Sequence, residues 1–214
     1  FIYNLYDDGQ DAAFFMCHDR INHLLVGHVL WDSEFSVVLA GNDSHIRVIH
    51  ASRLVAEIVV QGAVMASAAY VLTSSPLSRR AVIYGTANGV IGAVVAEGAG
   101  LRQLWVDQHR RRAMVNCLCM ADLLRSGHNN LVVGRDDGSL EVYFLDGEQL
   151  PVLLFEAQLQ ESLRSIQCGF VNSAEYPELI VAGYSGRITS FTTEALDQRD
   201  HDDNYGRSVA AVQT

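Results

Sequence analysis

A hairpin pattern returns four times along this chain, and it limits the possible folds more than any other feature. Each copy runs from a short apolar stretch through a Gly and a few polar residues into a second β-rich stretch. The copies are VVLAGNDSHIRVI (37–49), AVIYGTANGVIGAVV (81–95), LVVGRDDGSLEVYF (131–144) and LIVAGYSGRITSF (179–191). Their key glycines, Gly41, Gly85, Gly134 and Gly183, stand 44, 49 and 49 residues apart. Repeats of that length belong to propellers or solenoids.

The third copy shows the local physics. Leu131, Val132 and Val133 are β-formers. Gly134 to Gly138 then supplies turn residues, two of them glycines that accept positive φ. Ser139 to Phe144 alternates and reads as the return strand. Asn88-Gly89 and Ser185-Gly186 do the same in other copies, while His45 stands where a second Gly is expected. Further strand candidates flank the hairpins: 114–121 and 163–171 before, 54–60, 101–106 and 152–155 after. Four strands per repeat is a propeller blade. VVLA and AVIY are apolar on both faces, as expected of a sheet sandwiched between neighbours. The one helical contender, 113–125, also fits a strand.

FIYNLY and AAFFMCH read as the last two strands of an earlier blade, three full blades follow, and the last hairpin lacks a clear fourth strand. The expected fold is all-β: a partial propeller of about four four-stranded antiparallel blades and some seventeen strands. It is expected to be open because N-terminal blades are missing. The chain starts without a Met inside an apolar stretch, which reads as a piece of something longer. Residues 1–192 form the propeller fragment and the polar 193–214 a linker. An open arc exposes sheet edges, so association or instability of the fragment is expected.

Composition excludes several function classes. Apolar residues at 49% and charged ones at 19% argue against disorder. A net charge of −10 argues against nucleic-acid binding, which needs a basic stripe, and against direct contact with anionic lipid. Arg110-Arg111-Arg112 is the one basic cluster and reads as a solvated turn. No apolar run is long enough for a membrane helix, and no signal peptide is seen. Cys17, Cys117, Cys119 and Cys168 do not make a disulfide framework and read as reduced core thiols in a reducing compartment.

Motif chemistry is sparse. Asp136 and Asp137 offer carboxylates for calcium, but the loop Arg125 to Asn130 before that hairpin offers none. Gly85 to Gly92 is glycine-rich after a strand, yet a β-rich run follows where a dinucleotide site needs a helix. Gly183-Tyr184-Ser185-Gly186 lacks the spacing of a nucleophile elbow. His18 and His23 would face opposite sides of a strand, and His201 lies in the polar tail. No catalytic, metal or cofactor-binding residue is expected. Arg135, Tyr184 and the 110–112 turn are candidate contact residues in exposed loops, with plain surface as the alternative.

At YGTANG (84–89), LVVGRDDGSLEVY (131–143), PVLLFEAQLQESLRSIQCG (151–169) and AGYSGRITSFTTE (182–194) the chain resembles a known family. It is similar to the C-terminal blades of the propeller in Bardet–Biedl syndrome protein seven, a BBSome subunit. FIYNLY and NDSHIRVIH fit that propeller more weakly. The resemblance implies a non-catalytic scaffold in a coat-like complex that traffics membrane proteins into and out of cilia. It implies pairing with a related propeller subunit and indirect membrane contact through an Arf-like GTPase. It implies a place at the cilium or flagellum and its basal body, with the 193–214 tail leading to a coiled coil. The alternatives are another trafficking-coat propeller and a calcium- or ligand-binding propeller.

Overall fold

The computed structural model describes residues 2–4, 10–30, 35–72, 79–107, 111–195 and 210–211. Among them every regular element is a strand. An N-terminal pair, β1 (Ile2–Asn4) and β2 (Gln10–Ala13), is followed by four four-stranded sheets. The first holds β3 (Ile21–Gly27), β4 (Ser36–Gly41), β5 (His45–His50) and β6 (Arg53–Val59). The second holds β7 (Val64–Leu72), β8 (Arg79–Thr86), β9 (Ile91–Glu97) and β10 (Gly100–Asp107). The third holds β11 (Val115–Ala121), β12 (Asn130–Arg135), β13 (Ser139–Phe144) and β14 (Val152–Gln158). The fourth holds β15 (Leu163–Gly169), β16 (Glu178–Gly183), β17 (Ile188–Thr192) and β18 (Ala210–Ala211). The 113–125 stretch is a strand followed by turns, so the helical contender is settled as β11.

Each sheet is an antiparallel meander except at its last member, where β18 runs parallel to β17 over two residue pairs. The leading strands β3, β7, β11 and β15 pack on one another in that order, and β7, β11 and β15 each also touch the second strand of the preceding sheet. Nothing comparable joins the first sheet to the fourth among the described residues. The chain is therefore a partial propeller of four blades.

Three apolar seams hold the arc. Leu25, Val38, Ile46 and Val48 meet Val64, Val82, Tyr84 and Val94 between the first and second sheets. Ile83, Ile91, Ala93 and Trp105 meet Val115, Leu131, Val133 and Tyr143 between the second and third. Cys117, Val132, Leu140 and Val142 meet Leu163, Ile166, Leu179, Val181 and Phe191 between the third and fourth. An inner sheet buries both faces, which is why its strands are apolar throughout rather than alternating.

The ladders move the repeat frame by one residue in two copies. Ala40 pairs with Ile46, Gly85 with Ile91, Gly134 with Leu140 and Ala182 with Ile188. Gly41 and Gly183 thus sit one place beyond Gly85 and Gly134. At Gly134 a Cβ would press on Cys117 Sγ and Ile166 at 2.7 Å. The left-handed turn position belongs to Gly89, Gly138, Gly186 and, in the first sheet, Ser44 at φ 66°. Ser44, and not His45, therefore replaces the expected second glycine. Asp43 compensates: its carboxylate accepts the His45 amide, as Asp137 accepts that of Ser139.

All four leading strands carry an irregularity near their first residues, at Ile21/His23, Val64/Ala66, Val115/Cys117 and Leu163/Ser165. The residues displaced there are Asn22, Met65, Asn116 and Arg164. Asn22 donates to the Val64 carbonyl of the next sheet and Asn116 to that of Leu163, each at 2.9 Å.

Candidate interaction surfaces

A buried charge cluster sits where the second and third sheets meet at the hairpin rim. Arg135 ends β12 and Glu141 lies mid-β13; each is 1% exposed. Arg135 Nε donates to Glu141 Oε2 at 2.9 Å, and its Nη1 reaches the carbonyls of Gly89 at 2.8 Å and Ala113 at 2.9 Å. Those two carbonyls belong to the preceding hairpin turn and to the link between the sheets. The same carboxylate accepts the Tyr143 hydroxyl at 3.0 Å and meets Arg111 at 3.3 Å. Arg111 also binds Asp137 at 3.2 Å and Glu156. Asp137 is held below the usual carboxylate range: burial works against its charge, but hydrogen bonds from Ser139 and the Arg111 charge outweigh it.

This cluster corrects the expectation for Arg135, which is an inner clamp rather than an exposed contact. Of the 110–112 turn, Arg110 lies outside the described residues and Arg111 is half-buried among three carboxylates. A surface-turn reading missed both. The available signal was Glu141, a carboxylate on an otherwise apolar strand whose alternation points it inward.

Tyr184 is exposed, as expected, and it stands on the face of the fourth sheet that no other sheet covers among the described residues. The return-strand residue paired with Ala40, Gly85, Gly134 or Ala182 shows the contrast. Ile46, Ile91 and Leu140 are 1%, 1% and 0% exposed, while Ile188 is 71% exposed. Arg164 stacks over the Tyr184 ring at 5.8 Å. A side chain at Gly138 would strike the carbonyls of Leu159 and Glu161, whereas one at Gly186 would meet nothing. The bare face presents Ile180, Ala182, Ile188 and Tyr184 with polar Ser165, Gln167 and Ser190.

An apolar cavity of about 280 Å³ lies beside the edge of β17, lined by Leu123, Val142, Leu154, Phe155, Leu179 and Phe191. In the other sheets a fourth strand of seven or eight residues lies at this place. Here, among the described residues, the fourth member is the short parallel pairing of Ala210–Ala211.

The remaining candidates are structural in their contacts. Asp122, Ser126 and Gly127 tie the 122–128 loop through backbone bonds. His23 bonds Ser67 at 2.8 Å across the first seam, and burial lowers its pKa. Ser185 donates to Glu161 at 2.8 Å. His201 lies outside the described residues. No group of three or more metal-ligating side chains gathers among the described residues.

The BBS7 beta-propeller family model matches residues 1–193. The chain belongs to that family. It is 33% identical over 195 residues to the mouse BBSome complex member BBS7, covering 91% of this chain and 27% of the mouse protein. It is 24% identical to the Caenorhabditis elegans BBSome complex member bbs-7, covering 88% of this chain and 26% of that one. The chain thus spans about a quarter of the length of these BBS7 relatives. Among solved structures, BBS1N in complex with ARL6DN superposes with a TM-score of 0.63 at 14% identity, covering 87% of this chain and 57% of that one. The WD40 β-propeller domain of Doa1 superposes with a TM-score of 0.60 at 14% identity, covering 80% and 50%. At that identity the two structures speak for the fold alone, and the fold is the propeller the repeats predict.

Proposed function

We propose that this chain is the blade region of a non-catalytic scaffold subunit of a BBSome, acting in the traffic of membrane proteins into and out of cilia. The observation that carries the reading is the match to the BBS7 propeller family along residues 1–193. The geometry supports it: the buried polar chemistry is spent on clamping sheets together, and the exposed features are contact surfaces. Residues 1–192 are the propeller unit, and 193–214 are a linker that touches the unit through the two-residue pairing of Ala210–Ala211 with β17 and leads toward a coiled coil.

In this reading the seams keep the blades rigid, and loops on the rims meet other subunits. A related propeller subunit is the principal partner, and membrane contact runs through an Arf-like GTPase held by partners. The bare face of the fourth sheet takes a further sheet of the same ring, because Ile188 repeats the position that neighbours bury in the other three. The place of action is the cytoplasm, the basal body and the ciliary membrane surface.

Affinity purification of the tagged full-length protein from ciliated cells tests this. Recovery of the other BBSome subunits, and loss of ciliary signal when its propeller partner is deleted, are expected. A purification empty of those subunits, or a melting point that rises with calcium, would overturn it.

A further inference from the structure

Two thiols face each other across the seam between the third and fourth sheets. Cys119 lies on β11 and points toward the fourth sheet, and Cys168 lies on β15 and points back. These are adjacent leading strands in direct packing contact. Both thiols sit in the apolar cluster of this seam. Both also line one cavity of about 650 Å³ with Asp122, Arg125 and Gln167. The two lie near enough that Cys119 bears on the ionisation of Cys168 and the Cys168 backbone on that of Cys119. Cys117, two residues earlier, does not line that cavity and packs against Gly134 instead.

We propose that Cys119 and Cys168 form a peroxide-oxidisable dithiol whose disulfide locks the third blade to the fourth. The reaction has two steps. A Cys thiolate attacks hydrogen peroxide, giving a sulfenic acid and hydroxide, which takes up the released proton as water. The second thiol then displaces a second water, forming the S–S bond. Two thiols are oxidised, and one peroxide is reduced to two waters. The cavity, which both cysteines line, is large enough to admit a molecule of that size.

Burial pushes both thiols above the ordinary range, and the neighbouring charges of Cys119 and Asp122 add to this at Cys168. Oxidation is therefore slow at neutral pH and accelerates as pH rises, because the thiolate is the nucleophile. Cys117 is pushed up to about 12. It is the internal control, since it shares the seam but not the cavity.

The test uses the whole chain treated with hydrogen peroxide near pH 8, then alkylated and mapped by mass spectrometry without reduction. Before alkylation the expected product is about 2 Da lighter than the starting chain, and after it the map carries one crosslinked peptide pair, Cys119 with Cys168. The product's melting midpoint rises by about 5 °C and returns to the starting value on reduction. Cys119→Ser and Cys168→Ser each abolish the crosslink, and Cys117→Ser leaves it intact. Gains of about 16 or 48 Da on single cysteines without a crosslink would sink the proposal. So would a Cys117–Cys168 product, or no mass change before the chain unfolds.

Discussion

Replacing Arg135 by Met tests whether the buried clamp joins the second and third blades. Removing one member of a buried ion pair costs about 3–5 kcal/mol, because the other charge is left without compensation. Here Glu141 retains Arg111 at 3.3 Å and the Tyr143 hydroxyl at 3.0 Å, so its charge is not abandoned. The carbonyls of Gly89 and Ala113, in contrast, lose the guanidinium that serves them. The loss should fall at the lower end, about 3 kcal/mol. For a chain of this size that is a fall in melting midpoint of about 6–12 °C. Thermal and urea melts of Arg135→Met, Glu141→Leu and the double variant form a cycle. Each single change is destabilising. The double variant costs less than the sum of the two single changes, because neither charge of the pair is left facing an absent partner, but it stays below wild type because the Gly89 and Ala113 carbonyls still lack their donor. A midpoint shift under about 2 °C for Arg135→Met, or additive effects in the cycle, would show that the pair contributes no clamp.

Three further outcomes follow from other parts of the fold. Gly138→Ala is expected to cost at least about 2 kcal/mol, from left-handed strain plus collision with the Leu159 and Glu161 carbonyls, and Gly186→Ala about 1 kcal/mol from strain alone; equal losses in urea melts would contradict this. Leu140→Ala should cost about 2–5 kcal/mol, whereas Ile188→Ala should change the stability of this chain by less than about 0.5 kcal/mol. If the ring is completed over that face in the full-length protein, Ile188→Ala becomes costly there, and an unchanged melt would remove the face from the closure. Asp43 is held below the usual carboxylate range, first by its hydrogen bond from Arg47 at 2.5 Å. Its stabilisation is complete above the unfolded-state pKa and fades as pH falls through the lower folded-state value. The gap between wild type and Asp43→Asn in urea midpoints should be full near pH 6 and close below about pH 3.

The hairpins were legible because their turn chemistry is local. Asp137-Gly138 and Asn88-Gly89 can do little else between two β-rich runs. The frame at Gly41 and Gly183 was not legible, because register depends on ladder partners such as Ala40 with Ile46. A glycine count weighs turn residues and close-packed residues alike. Arg135 and Arg111 were misread for a related reason. A turn arginine is ordinarily solvated, and only the arrival of a carboxylate six residues later, on the strand folded back beside it, makes burial tolerable. Ile188 looked like its repeat equivalents, and its exposure is a property of the assembly rather than of its neighbours in sequence.

The displaced residue in each leading strand has a bearing on how the arc opens. Asn22 and Asn116 each lend an amide to the next sheet, but Met65, at the same place in the second sheet, has no proton to lend. The joint between the second and third sheets relies instead on the guanidinium of Arg135. The three joints are thus unequal, two fastened by neutral amides near the strand starts and one by a charge at the hairpin rim. Local opening free energies differ between such units within one protein. Amide hydrogen exchange should then divide the chain at its joints, with loss of the Arg135 guanidinium loosening the middle one and leaving the flanking pairs of sheets as the units that persist.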